Sequence, residues 1–227
     1  MDNRNYLAPG RHTVPDAPLE LTWSAAAALQ SMATVKYWHR DQEIIEQDSE
    51  SKHWYCVISG SARQSLVRRD GRRQIADILL PGDFFGLEVV NGHHWMAVQA
   101  LTEGTVTASY PRPRIEALAD RNHLVAQEIR EQAFRTIRRL HEQTLLVGTM
   151  TAEEKVHGYF RYMHGRLRER ESDIALPVSR YDIADQLGIS VETVCRAITS
   201  LRNAGVIDMD GPRNFHLREF DADLEEA

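Results

Sequence analysis

The segment from Leu176 to Ile207, LPVSRYDIADQLGISVETVCRAITSLRNAGVI, constrains the fold more than any other part of the chain. Ser179 and Asp182 have the spacing of a capping box, in which each side chain satisfies the other residue's free backbone N–H. Ile183, Ala184 and Leu187 follow at helical spacing, and Gly188 ends the helix where a left-handed residue is needed. Ser190 caps a second predicted helix, Val191 to Asn203, whose buried stripe is Val194, Ile198 and Leu201. Ala184 is small enough to let the two helices approach. The opposite face of the second helix begins with Val191, Glu192, Cys195 and Arg196. Asn203-Ala204-Gly205 closes that helix, and Val206-Ile207-Asp208 with Asp210-Gly211-Pro212 reads as a hairpin. This is the order of a winged helix-turn-helix, in which residues at the start of the second helix reach base edges in a DNA major groove.

The formal charge of −6 runs against nucleic-acid binding at first sight. Affinity for phosphates, however, depends on the local cluster that meets them rather than on the whole surface. Glu219, Asp221, Asp223, Glu225 and Glu226 read as a solvated acidic tail, whereas Arg180, Arg196, Arg202 and Arg213 lie in or beside the proposed binding unit. The acidic balance predicts weak non-specific binding and a need for dimerisation. Only Cys56 and Cys195 are present, far apart, which argues against a disulfide framework, a zinc ribbon or a cysteine-ligated iron–sulfur cluster. No apolar run reaches membrane-spanning length, and the first residues lack the pattern of a secretory signal, so no membrane partner and a cytoplasmic location are expected.

A helix is predicted over 19–32, and the chain then changes character. Short β-rich runs occupy Val35 to His39, Trp54 to Ser59, Ala62 to Val67, Gln74 to Leu80, Met96 to Leu101 and Val106 to Tyr110. Turn signals separate them, with Asp70-Gly71 the strongest hairpin signal, and the regular spacing predicts an antiparallel roll. Leu124 to Met150 contains no proline, and Ala126, Arg130, Ala133, Ile137, Leu140, Thr144 and Val147 alternate steps of four and three. Such a seam predicts packing of Ala126, Ala133, Ile137, Leu140, Thr144 and Val147 against a second copy, or alternatively against the roll of the same chain. Thr151 and Glu154 form a second capping box opening a helix through Tyr162 and Leu167, and Arg168 to Asp173 reads as a loop. The expected architecture is α+β: a flexible tail (1–18), an antiparallel β-roll like a cyclic-nucleotide-binding jelly roll (19–113), a long dimerisation helix (114–150), a winged helix-turn-helix (151–220) and an acidic tail (221–227).

Asp70-Gly71-Arg72-Arg73-Gln74-Ile75, Leu80-Pro81-Gly82-Asp83-Phe84-Phe85-Gly86, and Asp182-Ile183-Ala184 through Glu192-Thr193-Val194-Cys195-Arg196 resemble the Crp/Fnr family of bacterial transcription regulators. The resemblance spans Leu19 to Leu217, and the first two motifs are nearest the FixK-like and Fnr-like branch, whose members typically activate genes for low-oxygen respiration, denitrification or nitrogen fixation. It implies a homodimer on an inverted TTGA-type operator, with double-stranded DNA and RNA polymerase as partners and no enzymatic activity. Arg196 would donate to O6 and N7 of a guanine, Glu192 would accept from a cytosine amine, and Val191 would meet a thymine methyl. Ser179, Arg180, Ser190 and Thr193 are the implied phosphate contacts, which fix register. The charged tip Arg68 to Arg73 is the implied polymerase contact.

The chain departs from the pattern in two places. Cys195 stands where Fnr-like members have serine, which weakens one base contact and raises a possible redox switch, since oxidation would place a polar sulfur at the DNA surface. In cyclic-AMP-binding members a Gly-Glu motif and an Arg-Ser or Arg-Thr pair hold the phosphate. Here Gly86-Leu87-Glu88 keeps part of the first, but His94, Trp95 and Met96 replace the second, and Trp95 is expected to fill the cavity. The N-terminal cysteine cluster of oxygen-sensing Fnr proteins has no counterpart. An effector-independent regulator without cofactor or metal is therefore expected, the alternative being gating by a cyclic nucleotide, haem or another effector. His93-His94 fits no zinc spacing and reads as an exposed loop, and Cys56 reads as a buried structural thiol.

Overall fold

The computed structural model describes residues 29–148, 150–168, 176–211 and 214–217. The two predicted tails, most of the first helix, the loop after Arg168 and Arg213 lie outside these residues. Residues 29–32 are helical, consistent with the end of the expected first helix.

Eight strands build the roll: β1 (Thr34–Trp38), β2 (Glu43–Ile45), β3 (His53–Ser59), β4 (Ala62–Val67), β5 (Arg73–Leu79), β6 (Phe84–Phe85), β7 (Ala97–Ala100) and β8 (Thr105–Pro111). They form two four-stranded sheets, ordered β1-β8-β3-β6 and β2-β7-β4-β5, with every pairing antiparallel. The apolar residues that point between the sheets, among them Trp38, Ile45, Val57, Leu79, Phe85 and Val98, form the inner core. Buried Thr107 accepts the Trp38 indole N–H at 2.9 Å, so this core leaves that donor satisfied. The Asp70-Gly71 signal folds as expected: β4 and β5 pair with Val67 opposite Arg73, Gly71 has φ 80°, and the Asp70 carboxylate accepts the Arg72 N–H.

Beyond the roll, the helix expected over 114–150 is divided. Helix α1 (Arg112–Ala119) starts on Pro111 with Pro113 in its first turn, where a missing N–H costs nothing. Helix α2 (His123–Val147) then starts afresh, because Asn122 leaves helical geometry (φ −134°) and its side chain accepts the Leu124 N–H. An Asn-capped restart explains why the heptad-like seam begins only at Ala126. Helix α3 (Ala152–Arg168) opens on the Thr151–Glu154 box, with Glu154 accepting from both Thr151 donors at 2.7 Å. Gly158 lets α3 approach α2, since a Cβ there would lie 2.6 Å from Leu146 Cδ2.

Two features join the roll to the C-terminal helices. The first is one continuous apolar cluster: Ile75, Ile78, Leu80 and Leu101 of the roll pack with Val156, Tyr159, Phe160 and Met163 of α3 and with residues of the C-terminal unit. The second is a set of buried charges. Asp77 accepts from Arg139 Nε at 2.7 Å and from Gln143 Nε2 at 2.6 Å, while Asp83 accepts from Arg139 Nη1 at 2.8 Å and from Arg166 Nη2. Arg166 also donates to the Ile78 carbonyl at 2.7 Å and to the Tyr162 hydroxyl. Two carboxylates and two guanidinium groups thus balance one another, none of their side chains more than 15% exposed. Burial opposes the charge on Arg166, but Asp83, Tyr162 and Asp77 outweigh it and raise its pKa above the ordinary value.

Removing one member of this set should be costly, because a buried charge is left without its counter-charge. Arg139→Met, which keeps the alkyl stem, is expected to lose about 3–5 kcal/mol of stability in urea unfolding. A loss below about 1 kcal/mol, the range of a surface pair, would show that the carboxylates are served by water instead.

Candidate nucleic-acid interface

The C-terminal unit follows the order set by its caps. Helix α4 (Arg180–Leu187) starts at Ser179, whose hydroxyl accepts from Asp182 N while the Asp182 carboxylate accepts from Ser179 N at 2.9 Å. It ends at Gly188, which has φ 65° and ψ 34°, and the chain turns into helix α5 (Val191–Asn203), capped by Ser190 accepting from Thr193 N at 3.2 Å. Strands β9 (Ile207–Asp210) and β10 (Asn214–Leu217) pair antiparallel as the wing, with Phe215 opposite Met209. Phe215 is fully buried, 4.8 Å from the Phe160 ring centroid, so the wing is anchored to α3.

Val194, Ala197, Ile198 and Leu201 of α5 face the core, and this orientation turns the other face outward. Glu192 and Arg196 are exposed, Val191, Thr193 and Cys195 half-buried, and Ser190 exposed. Arg196 Nη2 donates to the Thr193 hydroxyl at 3.3 Å, a weak internal contact on an otherwise solvated guanidinium. Hydrogen bonds from its own backbone N–H and from Ser190, with the Arg196 charge, hold the Glu192 carboxyl below its usual pKa. Glu192 is therefore an ionised acceptor at neutral pH. Ser179 and Arg180 are half-buried, and Arg180 Nη1 donates to Cys195 Sγ at 3.4 Å, a link between α4 and α5 with no local signature in the sequence.

The acid residues of α4 do not face solvent unpaired. Arg63 Nη1 of β4 lies 3.2 Å from Asp182, and Arg73 Nη2 of β5 lies 2.7 Å from Asp185 and 3.5 Å from Asp182. The Asp182 carboxylate thereby serves both the cap and the roll. Along α2, Ala133, Ile137, Leu140, Thr144 and Val147 are exposed and Ala126 is half-buried, with Phe134 (66% exposed) and Leu145 (70%) adding to the uncovered apolar surface.

Three expectations need correction. Trp95 does not fill the roll, because it stands 45% exposed; in the His93-His94 pair His93 is exposed as expected, but His94 turns inward and is buried. Residues 91–96 form no strand, only isolated bridges, so strand alternation does not fix which neighbour points in. Cys56 is half-buried rather than buried. Near Gly86, an arginine does appear, but from α1: Arg112 Nη2 donates to the Gly86 carbonyl at 2.6 Å and to Ser51 Oγ at 2.9 Å. Glu88 is hydrogen-bonded to buried Gln64. No cluster of metal-binding side chains occurs among the described residues, and no helix there is long and apolar enough to cross a membrane.

A β-roll, a long helix and a winged helix-turn-helix with a solvated reading face define a DNA-binding transcription regulator. Comparison with known proteins agrees at both ends of the chain: the cyclic nucleotide-binding domain family matches residues 35–122, and the Crp-like helix-turn-helix domain family matches 154–222. The chain is 31% identical to the nitrogen fixation regulation protein FixK of Azorhizobium caulinodans, over 86% of this chain and 79% of that protein. It is 29% identical to the transcriptional activator protein FnrL of Cereibacter sphaeroides, over 88% and 83% of the two chains. Among solved structures, FixK2 from Bradyrhizobium japonicum superposes with a TM-score of 0.76 at 34% identity, covering 82% of this chain and 93% of that one. The chain belongs to the Crp/Fnr family, in its FixK/Fnr-like branch.

The double duty of Asp182 can be measured. Ser179→Ala removes one half of the cap and should cost about 1 kcal/mol, whereas Asp182→Ala also strips Arg63 of a buried partner and should cost about 3 kcal/mol. Equal losses in urea unfolding would reduce Asp182 to a capping residue.

Proposed function

We propose that this protein is a cytoplasmic transcription activator that binds an inverted TTGA-type operator as a homodimer. The observation that carries the reading is the paired exposure of Glu192 and Arg196 at the start of α5, on the face opposite its buried stripe. Arg196 donates two hydrogen bonds to guanine O6 and N7, and ionised Glu192 accepts from a cytosine amine. Val191 meets a thymine methyl. Ser179, Arg180, Ser190 and Thr193 contact phosphates and fix register without reading sequence. A two-fold pair of such units requires a palindrome, and the uncovered surface of Ala126, Ala133, Ile137, Leu140, Thr144 and Val147 supports α2 as the seam that pairs them. The hairpin tip from Arg68 to Arg73, exposed from Arg68 to Arg72, is the contact for RNA polymerase. The domain division at 113 and 150 is part of this reading. The branch supports a regulon of low-oxygen, denitrification or nitrogen-fixation genes.

Control without a cyclic nucleotide is supported by the internal pairing of the charged groups around Gly86. Glu88 is engaged by Gln64, and Arg112 by Gly86 and Ser51. An electrophoretic mobility shift on an inverted TTGA duplex tests the whole reading. Arg196→Ala should weaken binding by about 1–3 kcal/mol and relax preference at the guanine, and a duplex with one half-site scrambled should bind far more weakly. Retained affinity and retained base preference in Arg196→Ala would reject the assignment.

The Arg180–Cys195 contact favours a second reading, in which Cys195 gates binding by oxidation. Peroxide transfers one oxygen to the Cys195 thiolate, its O–O bond breaks, and the released hydroxide takes a proton as water, leaving a sulfenic acid beside Arg180. Peroxide treatment is expected to abolish operator binding by the wild type and spare Cys195→Ser. Equal loss in both proteins would remove the switch.

A further inference from the structure

The β4–β5 hairpin meets the C-terminal unit with both of its strands. Their register shifts at Ala76, so that Gln64 pairs with Asp77 but Ser65 with Ile75. Ile75 and Ile78, three residues apart, would point to opposite faces of a regular strand. With the extra residue between them, both join the apolar cluster shared with the C-terminal helices. Two arginines accompany this apolar contact, Arg63 on β4 and Arg73 on β5, and each reaches an acid of α4.

The two grips differ in build. Arg63 is a fixed post: its Nε and Nη2 donate to Gln99 Oε1 at 3.2 and 3.0 Å, its Nη2 to Asp41 at 2.8 Å and its Nη1 to Asp182 at 3.2 Å. Arg73 places two donors, Nε at 3.2 Å and Nη2 at 2.7 Å, on one oxygen of Asp185. Asp182 and Asp185 are neighbours on one side of α4. Holding a helix at two points fixes its rotation as well as its position, which apolar packing alone leaves free to slide. Gly188 then passes that orientation to α5 across a tight turn. Strand β5 carries a second attachment as well, because Asp77 accepts from Arg139 of α2. A single strand thus ties the helix proposed to pair two copies to the first helix of the reading unit.

We propose that Arg73 and Asp185, supported by Arg63 and Asp182, are positioning residues for operator binding. They hold the two reading helices of the dimer at one separation, so the protein's own ion pairs select the spacing between half-sites. This inference rests on the two-fold operator reading. The energetic logic is that of a two-headed binder. Once one head is seated, the second meets its half-site at an effective concentration set by the stiffness of the connection. Loosening the connection lowers affinity for the whole palindrome and leaves each head's grip on a single half-site intact.

The test uses the full-length protein and three duplexes: the inverted TTGA palindrome, the same palindrome with two base pairs inserted at its centre, and one with a half-site scrambled. The ratio of palindrome to half-site affinity is read by fluorescence anisotropy for wild type, Arg73→Gln, Asp185→Asn and the double variant. The paired side chains are 29% and 34% exposed, so neither substitution strands a deeply buried charge. Plain electrostatics would move overall DNA affinity in opposite directions, down for the lost arginine and up for the lost aspartate. A positioning role predicts instead that the ratio falls at least about fivefold in both, with a smaller penalty for the inserted base pairs. The double variant should fall no further than the lower single, because either change already breaks the pair. A ratio that stays at the wild-type level or rises in either single variant, or that falls additively in the double, would overturn the proposal. Should one variant fail to fold, the ratio and the spacing penalty of the other decide. If the wild type itself shows no preference for the palindrome, the operator reading fails and takes this inference with it.

Discussion

Asp77 and Asp83, buried at the edge of the roll, depend on Arg139 of α2 and Arg166 of α3, and the relative placement of all three units depends on them. Taking charges out of water is expensive, and their mutual attraction recovers the cost only when geometry is good and the remaining donors and acceptors are filled. Here they are filled: Gln143 and the Leu80 N–H complete the two carboxylates, and the Ile78 carbonyl and Tyr162 complete Arg166. A well-packed apolar replacement would be as stable or more so. What apolar packing lacks is direction. Leucine against isoleucine tolerates sliding, whereas a guanidinium shared between two fixed carboxylates has one arrangement. The network therefore sets where α2 and α3 leave the roll, and the shared apolar cluster supplies adhesion around it.

The same logic resolves the charge problem of an acidic DNA-binding protein. Helix α4 carries Asp182 and Asp185 close to the reading face, where unpaired carboxylates would repel phosphate. Both are turned toward Arg63 and Arg73 of the roll. The pairing leaves exposed Arg196 as a solvated cation of the reading face. Net charge is thus a poor guide here, because both acids of α4 are neutralised by a different unit, which leaves Glu192 beside Arg196 as the exposed acid at the start of α5.

What could be read from the sequence follows the range over which each interaction acts. Both capping boxes, Thr151 with Glu154 and Ser179 with Asp182, join residues three apart, and both were legible as spacing. The Asp70-Gly71 hairpin and the left-handed Gly188 are equally local. Strands β2 and β6, three and two residues long, carry too little pattern to stand out. The restart at Asn122 was missed because no glycine or proline marks it, although an asparagine cap is itself a helix-start signal. Arg139 and Arg166 meet their carboxylates across 56 to 83 residues, and nothing in their local context distinguishes them from solvated arginines. Glu192 and Arg196 were legible because an amphipathic helix fixes its outer face once its inner face is known, whereas the reach of Arg112 to Gly86 needed the fold.

In this roll of cyclic-nucleotide-binding type, Glu88 is already bonded to Gln64 and Arg112 to the Gly86 carbonyl. In a phosphate-gated roll, the ligand supplies charges that the empty site lacks, and differential affinity for two arrangements shifts their populations. Where the protein's own groups already fill such bonds, a ligand reaching for Arg112 or Glu88 must first break them. The places where a ligand or a modification could bias the arrangement are those whose groups remain unsatisfied or reactive. One such group lies on α5, the Cys195 thiol held against Arg180 of α4. Control would then have moved from the interior of the roll to its boundary, where α4 already answers to Arg63 and Arg73. A change of about one or two kcal/mol there alters operator affinity by roughly five- to thirtyfold, within the usual range of coupling between sites.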